Sequence, residues 1–383
     1  MGRYEIHHLV DVAKNFSDNI LRPSAGLIDN QGKVPDEIIT EMATLGLLGA
    51  ILPKEYGGQG IDPLSYGYLT EEIGKGCNST RALLTVHTSL VGETIVKLGS
   101  QIQKEKYLPA MARGEKIACF ALSEPEAGSD ANAIKTRYEV TENGFRINGN
   151  KKWITYSGIA DLFLVFAKCE EKVSAFIVEF GVEGLTRKPM SGLMASRGAY
   201  LSELNFDNVE IPKESLIGCE GEGFSFVANT ALYFGRYSIA WAGVAIAHAA
   251  MEEMVTYARK RKQFGQKIAQ HQLIQGIIAD SATAFYAAKA ACEKIGHMRN
   301  QGDHNAIMET NIAKYNSSAV AMLVANNAVQ VLGGNGLSNK YPVERLYREA
   351  KVLEIIEGTN QIQQMLISQH ALRGFYRKGS VIE

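Results

Sequence analysis

The sequence predicts an α+β chain in which a β segment divides two helical regions. Three observations predict it. Apolar residues recur at helical spacing before about residue 118, the period changes between 119 and 223, and helical spacing returns from Phe224 onward. These limits divide the chain into an N-terminal helical domain at 1–118, a central β domain at 119–223 and a helical bundle at 224–383. The two helical regions must pack on each other or on the sheet, and junctions between such layers are where ligand pockets are usually built.

Taken in order, DEIITEMATLGLLG, PLSYGYLTEEIGKG and TRALLTVHTSLVGETIVKLG each carry apolar residues at helical spacing, and the turn-rich YGGQGIDP separates the first two. In the middle, RYEVTENGFRINGNKKWIT alternates around Asn143-Gly144 and Asn148-Gly149, which read as turns. LFLVFAKC and VSAFIVEF are short β-branched and aromatic runs, so a small barrel or sandwich is expected there. Beyond it, three long segments with alanine-rich faces, at roughly 224–262, 268–299 and 303–332, predict an antiparallel bundle. A short helix follows, then one after Glu357, where Asn360 with Gln363 fits a capping box.

Composition narrows the function. The 40 basic and 41 acidic residues nearly cancel, which leaves no electrostatic footprint for nucleic acid or an anionic membrane. The five cysteines, Cys77, Cys119, Cys169, Cys219 and Cys292, include no CxxC pair, against a zinc site and against a disulfide framework. No metal is expected. The first residues, MGRYEIHHLVDVAKNF, do not read as a signal peptide, and no stretch reaches the length of a membrane-spanning helix, so a cytoplasmic setting is expected.

Five short stretches carry chemistry. ALSEPEAGSDANA at 121–133 reads as an acidic surface loop, yet Gly128 and Ser129 could offer N–H groups and a hydroxyl to a ligand. KKWITYSG supplies Trp153 and Thr155, either an ordinary strand with a buried Trp or the wall of a planar ring. ARKRKQFGQKIAQHQ is mostly a solvated charge run, within which Arg261 could clamp a phosphate. QVLGGNG follows a helix instead of a strand, so a dinucleotide fingerprint fails there. A helix stop needs one glycine, and the extra two suggest close approach to a partner or cofactor. EIIEGTNQIQ sets Glu357 just outside a helix start, where a solvent-facing acid is the plain reading and Gly358 suggests a ligand nearby.

With these residues in view, the chain resembles the acyl-CoA dehydrogenase family from end to end. LSEPEAGSD, KKWIT, RKQFG, QVLGGNG, YPVERLYREAK and IIEGTNQIQ occur in the family's order and at about its spacing. The resemblance implies the acyl-CoA dehydrogenase fold, an N-terminal helical domain, a central β domain and a C-terminal four-helix bundle, with FAD between domains and between subunits. Leu122, Ser123, Gly128 and Ser129 would line the flavin or thioester, and Trp153 and Thr155 would contact the isoalloxazine. Arg261, Phe264, His271 and Gln272 would meet FAD, Arg261 at the pyrophosphate of a neighbouring subunit's cofactor. Gln330, Gly333 and Gly334 would touch the adenosine portion, and Thr359 and Gln361 complete the set. A shared cofactor implies a homodimer or homotetramer.

By the same resemblance, Glu357 is the catalytic base, taking the proton alpha to the thioester while the beta hydride leaves for flavin N5. Such a base needs a pKa raised toward neutrality, which burial supplies. The thioester oxygen would be polarised by the Glu357 N–H and a ribityl hydroxyl. Some members carry the base just before the arginine of the first bundle helix, and here that position is Gly235, ahead of Arg236. On the substrate side stand Ser129, Tyr233, Arg236, Ile356 and Gly358. The family's usual partner is an electron-transferring flavoprotein.

Three departures stand out. Tyr233 replaces an aspartate that helps hold CoA, Tyr156 follows Thr155 where asparagine is common, and Lys340 stands where an acid is usual. ALYFGRYSIAW resembles a subgroup that oxidises acyl units tethered to acyl carrier protein, such as hydroxyacyl precursors of polyketide extender units. The expected substrate is therefore a short acyl-CoA or its carrier-protein counterpart. A flavin oxidase or monooxygenase and a flavin-free scaffold are the readings from other classes.

Overall fold

The architecture comes from a computed structural model, which describes residues 6–375. The N-terminal region contains α1 (Leu9–Phe16), α2 (Arg22–Gln31), α3 (Asp36–Thr44), α4 (Pro63–Gly76), α5 (Asn78–Leu83), α6 (Glu93–Leu98) and α7 (Gln101–Ala112). A wider π-type segment, Leu84–Gly92, joins α5 to α6. The sequence reading passed over α1 and α2. Their signal was present, because Leu9, Ala13 and Phe16 sit four and three residues apart and all three are buried.

Helix α4 starts where its chemistry requires. The Asp62 carboxylate caps it, accepting from the N–H groups of Leu64 at 3.0 Å and Ser65 at 3.1 Å, and Pro63 occupies the first turn. Most of α4 is buried, because it packs on the C-terminal helices as well as on its own domain.

The β region holds β1 (Ala118–Ala121), β2 (Arg137–Val140), β3 (Gly144–Ile154), β4 (Leu162–Cys169), β5 (Lys172–Glu179), β6 (Leu185–Pro189), β7 (Ser202–Pro212) and β8 (Leu216–Ile217). They form one sheet in the order β6-β7-β3-β2-β4-β5-β8, with β1 parallel to β4. LFLVFA, at 162–167, is unbroken by polar residues for a reason: Leu162, Leu164 and Phe166 face one apolar cluster and Phe163, Val165 and Ala167 the other. Asn148-Gly149 is not a turn. It lies inside β3, where the register with β7 slips between Ile147 and Gly149. Gly149 has φ 147°, and a Cβ there would meet Thr136 at 2.6 Å, so a bulge and not a reversal explains the glycine.

The C-terminal region contains α8 (Asn229–Lys260), a surface hairpin of β9 (Lys262–Gln263) and β10 (Gln266–Lys267), then α9 (Gln272–Asn300), α10 (Ala306–Leu332), α11 (Val343–Leu353) and α12 (Asn360–Gly374). Helices α8, α9 and α10 pack together with α4 of the first domain laid against them. Among the described residues no helix is long and apolar enough to cross a membrane.

Candidate active site

The turn between α11 and α12 carries Glu357 in the left-handed region, at φ 55°. A non-glycine residue there stores strain, which surrounding contacts must hold. Two cations from different helices do so. Arg236 of α8 donates Nε–H to the Glu357 carbonyl at 3.0 Å and uses Nη1 on Asn311 Oδ1 at 3.1 Å. Lys314 of α10, wholly buried, donates to the Gly358 carbonyl at 2.8 Å and to Asn360 Oδ1 at 3.2 Å. Gln363 adds bonds of 3.3 Å to both carbonyls.

Consequently both cations hold main-chain oxygens, and neither forms an ion pair with the Glu357 carboxylate. Glu357 Oε2 is buried without a hydrogen-bond partner among the described residues. Burial pushes the Glu357 carboxyl up to about 7, against the pull of Arg236, Lys314 and Arg81. The same burial pushes the Lys314 ammonium down to about 8. The carboxylate faces α8: a Cβ built on Gly235 would lie 2.9 Å from Oε2 and 2.6 Å from Leu90 Cδ2. Positions 235 and 357, the two alternative sites for a base, thus face the same point. The solvent-facing reading of Glu357 fails, because its carboxylate is turned inward.

Asn360 does not cap α12. Thr359 does, its hydroxyl accepting from the Ile362 N–H at 3.3 Å, while Asn360 turns inward to Lys314 and Ser318. Thr359 and Gln361 border a cleft of about 320 Å³ with Tyr315 and Glu354. Ile356 is half-buried beside Glu357, and Gly358 takes φ 88° in the same turn.

In the β domain, the loop after β1 is braced from below. Lys151, wholly buried, donates to Leu122 O at 3.0 Å and to Glu124 Oε1 at 2.8 Å, and Glu124 also accepts from the Thr136 N–H at 3.0 Å. Glu124 is therefore an internal strut of the loop, not part of an acidic surface. Leu122 is buried and Ser123 half-buried, while Gly128 and Ser129 stand exposed. Trp153 is not a buried strand residue. It has φ 65° and is 52% exposed, with the Lys152 ammonium 5.3 Å from its ring. Thr155 beside it is half-buried, and Tyr156 instead turns inward, its hydroxyl on Ser79 O at 2.9 Å.

The remaining expected residues form a second, exposed surface. Arg261 ends α8, Phe264 is 95% exposed on the hairpin, its ring 6.0 Å from His271, and Gln272 begins α9. The glycine loop adjoins them through Asn335, which bonds Tyr257 Oη at 2.8 Å. Gln330, Gly333 and Gly334 are exposed. Of the glycines, Gly333 has φ 61° at the helix end, and Gly336 is needed because a Cβ would strike Val329 O at 2.5 Å. Only Gly334 lacks a reason within the chain. Tyr233 is half-buried, and the Arg299 guanidinium lies 5.2 Å from its ring.

Sequence reasoning missed Lys314, Lys151 and Arg81, and it gave Gln363 a capping role where the side chain holds the carbonyls of 357 and 358. Lys314 had a signal, a charge beside the small residues Thr310, Ala313, Ser317 and Ala321 on the buried face of α10.

Family comparison agrees with this geometry. Models of the acyl-CoA dehydrogenase N-terminal, middle and C-terminal domains match residues 4–115, 119–209 and 221–372. The chain belongs to the acyl-CoA dehydrogenase family. It is thus one of the FAD-dependent oxidoreductases acting on acyl thioesters. An acyl-CoA dehydrogenase of Bacillus subtilis is 38% identical over 369 residues, 95% of this chain and 97% of its own. The butyryl-CoA dehydrogenase of Megasphaera elsdenii superimposes with a TM-score of 0.94 at 34% identity, covering 97% of this chain and all of that one. FkbI, for biosynthesis of the methoxymalonyl extender unit of the Fk520 polyketide, gives a TM-score of 0.87 at 30% identity, over 95% of this chain and 99% of its own.

Proposed function

We propose that this acyl-CoA dehydrogenase desaturates a short acyl thioester between Cα and Cβ, with Glu357 as the base. The observation that carries the reading is a buried carboxylate without a partner, poised near neutrality. Such a group can take a proton at neutral pH. Arg236 and Lys314 set its position through the carbonyls of 357 and 358, so the main chain of the turn is fixed while the carboxylate stays free to accept. With the turn so held, the Glu357 N–H can donate to the thioester oxygen and acidify the alpha proton.

FAD supplies the acceptor for the beta hydride. The residues fit it: Trp153 presents an exposed planar face, and the Leu122–Ser123 backbone beside it is rigidly braced by Lys151 and Glu124. Thr155 lies next to Trp153 in the chain, and Thr359 and Gln361, which border the cleft at the start of α12, would take another part of the cofactor. The second surface, with Arg261, Phe264, His271, Gln272, Gln330, Gly333 and Gly334, is open to solvent in the single chain, which fits a cofactor shared across a homo-oligomer interface. The reduced enzyme would pass its electrons to an electron-transferring flavoprotein.

A second reading has its own support. Tyr233 carries no charge where an aspartate helps hold CoA, and Arg299 lies against its ring, so a carrier-protein tether suits this entrance. The likeness to FkbI agrees with that choice. Glu357→Gln tests the base: FAD content should be retained while anaerobic bleaching of the flavin by substrate is lost. Bleaching at the wild-type rate would remove Glu357 from the role.

A further inference from the structure

The stretch that presents Trp153 is strained at both ends. Trp153 has φ 65° and Tyr156 φ 62°, so two bulky residues in the left-handed region bracket Ile154 and Thr155. Strand β3 also slips its register with β7 between Lys151 and Ile154, so the ladder alone does not aim these residues. Bulky side chains avoid this conformation, and one persists there only where surrounding contacts over-determine it. Tyr156 has such contacts.

Its N–H donates to Ala199 O at 2.7 Å, and the Gly158 N–H donates to Tyr200 O at 2.9 Å, where a Cβ on Gly158 would meet Tyr200 Cβ at 3.2 Å. The Tyr156 ring is wholly buried, and its hydroxyl leaves the β domain to donate to Ser79 O of α5 at 2.9 Å. Ser79 is itself on fixed ground. Its neighbour Asn78 donates to Glu349 Oε2 of α11 at 2.9 Å, and Glu349 Oε1 accepts from the Ser196 N–H at 2.9 Å. Helix α5 thus ties the stretch carrying Trp153 and Thr155 to the helix that runs into the Glu357 turn.

We infer that Tyr156 is a positioning residue for the flavin: its hydroxyl, held on Ser79 O, locks the left-handed turn that keeps Trp153 and Thr155 aimed at the ring. It acts through these neighbours and not on the cofactor itself. A packing role is the rival, because a wholly buried aromatic ring stabilises any fold it fills. Packing predicts that flavin binding follows stability, whereas positioning predicts that it follows the backbone conformation at 156. Asparagine separates the two, since it takes the left-handed region readily yet leaves a cavity where the ring stood.

This role rests on the proposed placement of the flavin against Trp153 and Thr155, and the experiment keeps the two apart. FAD-loaded wild type, Tyr156→Phe, Tyr156→Asn and Trp153→Phe are compared by release of FAD on dilution, by visible circular dichroism of the bound flavin and by thermal unfolding. Tyr156→Phe keeps the ring and loses the anchor, so the Kd for FAD should rise about tenfold and the flavin dichroism should change. Tyr156→Asn should unfold at a lower temperature than Tyr156→Phe yet hold FAD more tightly, within about threefold of wild type. The reverse order, asparagine being the weaker binder as well as the less stable, assigns Tyr156 to packing and overturns the inference. A Tyr156→Phe enzyme with wild-type Kd and dichroism overturns it equally, and if only one of the two variants folds, its Kd against these limits decides. Trp153→Phe reports the placement alone: unchanged dichroism there removes the flavin from this stretch, while a change there with none in Tyr156→Phe leaves the placement intact and overturns only the positioning.

Discussion

Replacing Gly235 by alanine tests the geometry of the base directly. The new Cβ would stand 2.9 Å from Glu357 Oε2 and 2.6 Å from Leu90 Cδ2. Ordinary contact distances of about 3.5 Å require the carboxylate to retreat by ~0.5 Å and Leu90 by ~1 Å. Misplacing a reacting group by ~1 Å costs ~100-fold, so half that displacement predicts roughly a tenfold fall in the rate of flavin reduction. Stability should change less. Overpacking costs about 1–3 kcal/mol, and alanine returns about 1 kcal/mol of helix propensity, leaving a net loss of about 0–2 kcal/mol. Rapid-mixing anaerobic reduction gives the first number and thermal unfolding of the same sample the second. A reduction rate within twofold of wild type would refute the reasoning, since the carboxylate would then tolerate displacement and could not be the group that must meet the alpha proton.

Two further outcomes follow from the charges. Lys314→Met removes a cation that lowers the Glu357 pKa, so the rising limb of the pH–rate profile, near 7 in the wild type, should move to higher pH, and an unmoved limb would sever that coupling. His87 is buried and neutral, its Nδ1 accepting from the Ala118 N–H at 3.1 Å and its Nε2 bonded to Met111 O at 3.1 Å, and burial holds it at about 4 against 6.5 unfolded. Because the folded value is the lower, its contribution is complete above 6.5 and lost as pH falls toward 4, about 3 kcal/mol in all. Denaturant unfolding of wild type and His87→Gln should therefore differ in slope only across that window, and parallel curves would discount the residue.

The sequence by itself determined the α, β, α order, the three long C-terminal helices and the positions of the motifs, because periodicity and turn chemistry are local and act over a few residues. PLSYGYLTEEIGKG is a helix from its first residue to its last for that reason. Local reading also erred locally: Asn148-Gly149 resembles a turn whether it reverses the chain or bulges a strand, and only pairing with β7 distinguishes them. Thr359 and Asn360 are both good caps, and Lys314 decided between them by drawing Asn360 inward. What only the tertiary structure decided is the state of Glu357. Arg236 stands 121 residues from it and Lys314 is 44 residues from Gly358, and no short-range pattern reports that both spend their charge on carbonyls. A carboxylate's pKa depends on what surrounds it in space, so the acid that the motif marked is held near neutrality only once α8 and α10 close around its turn.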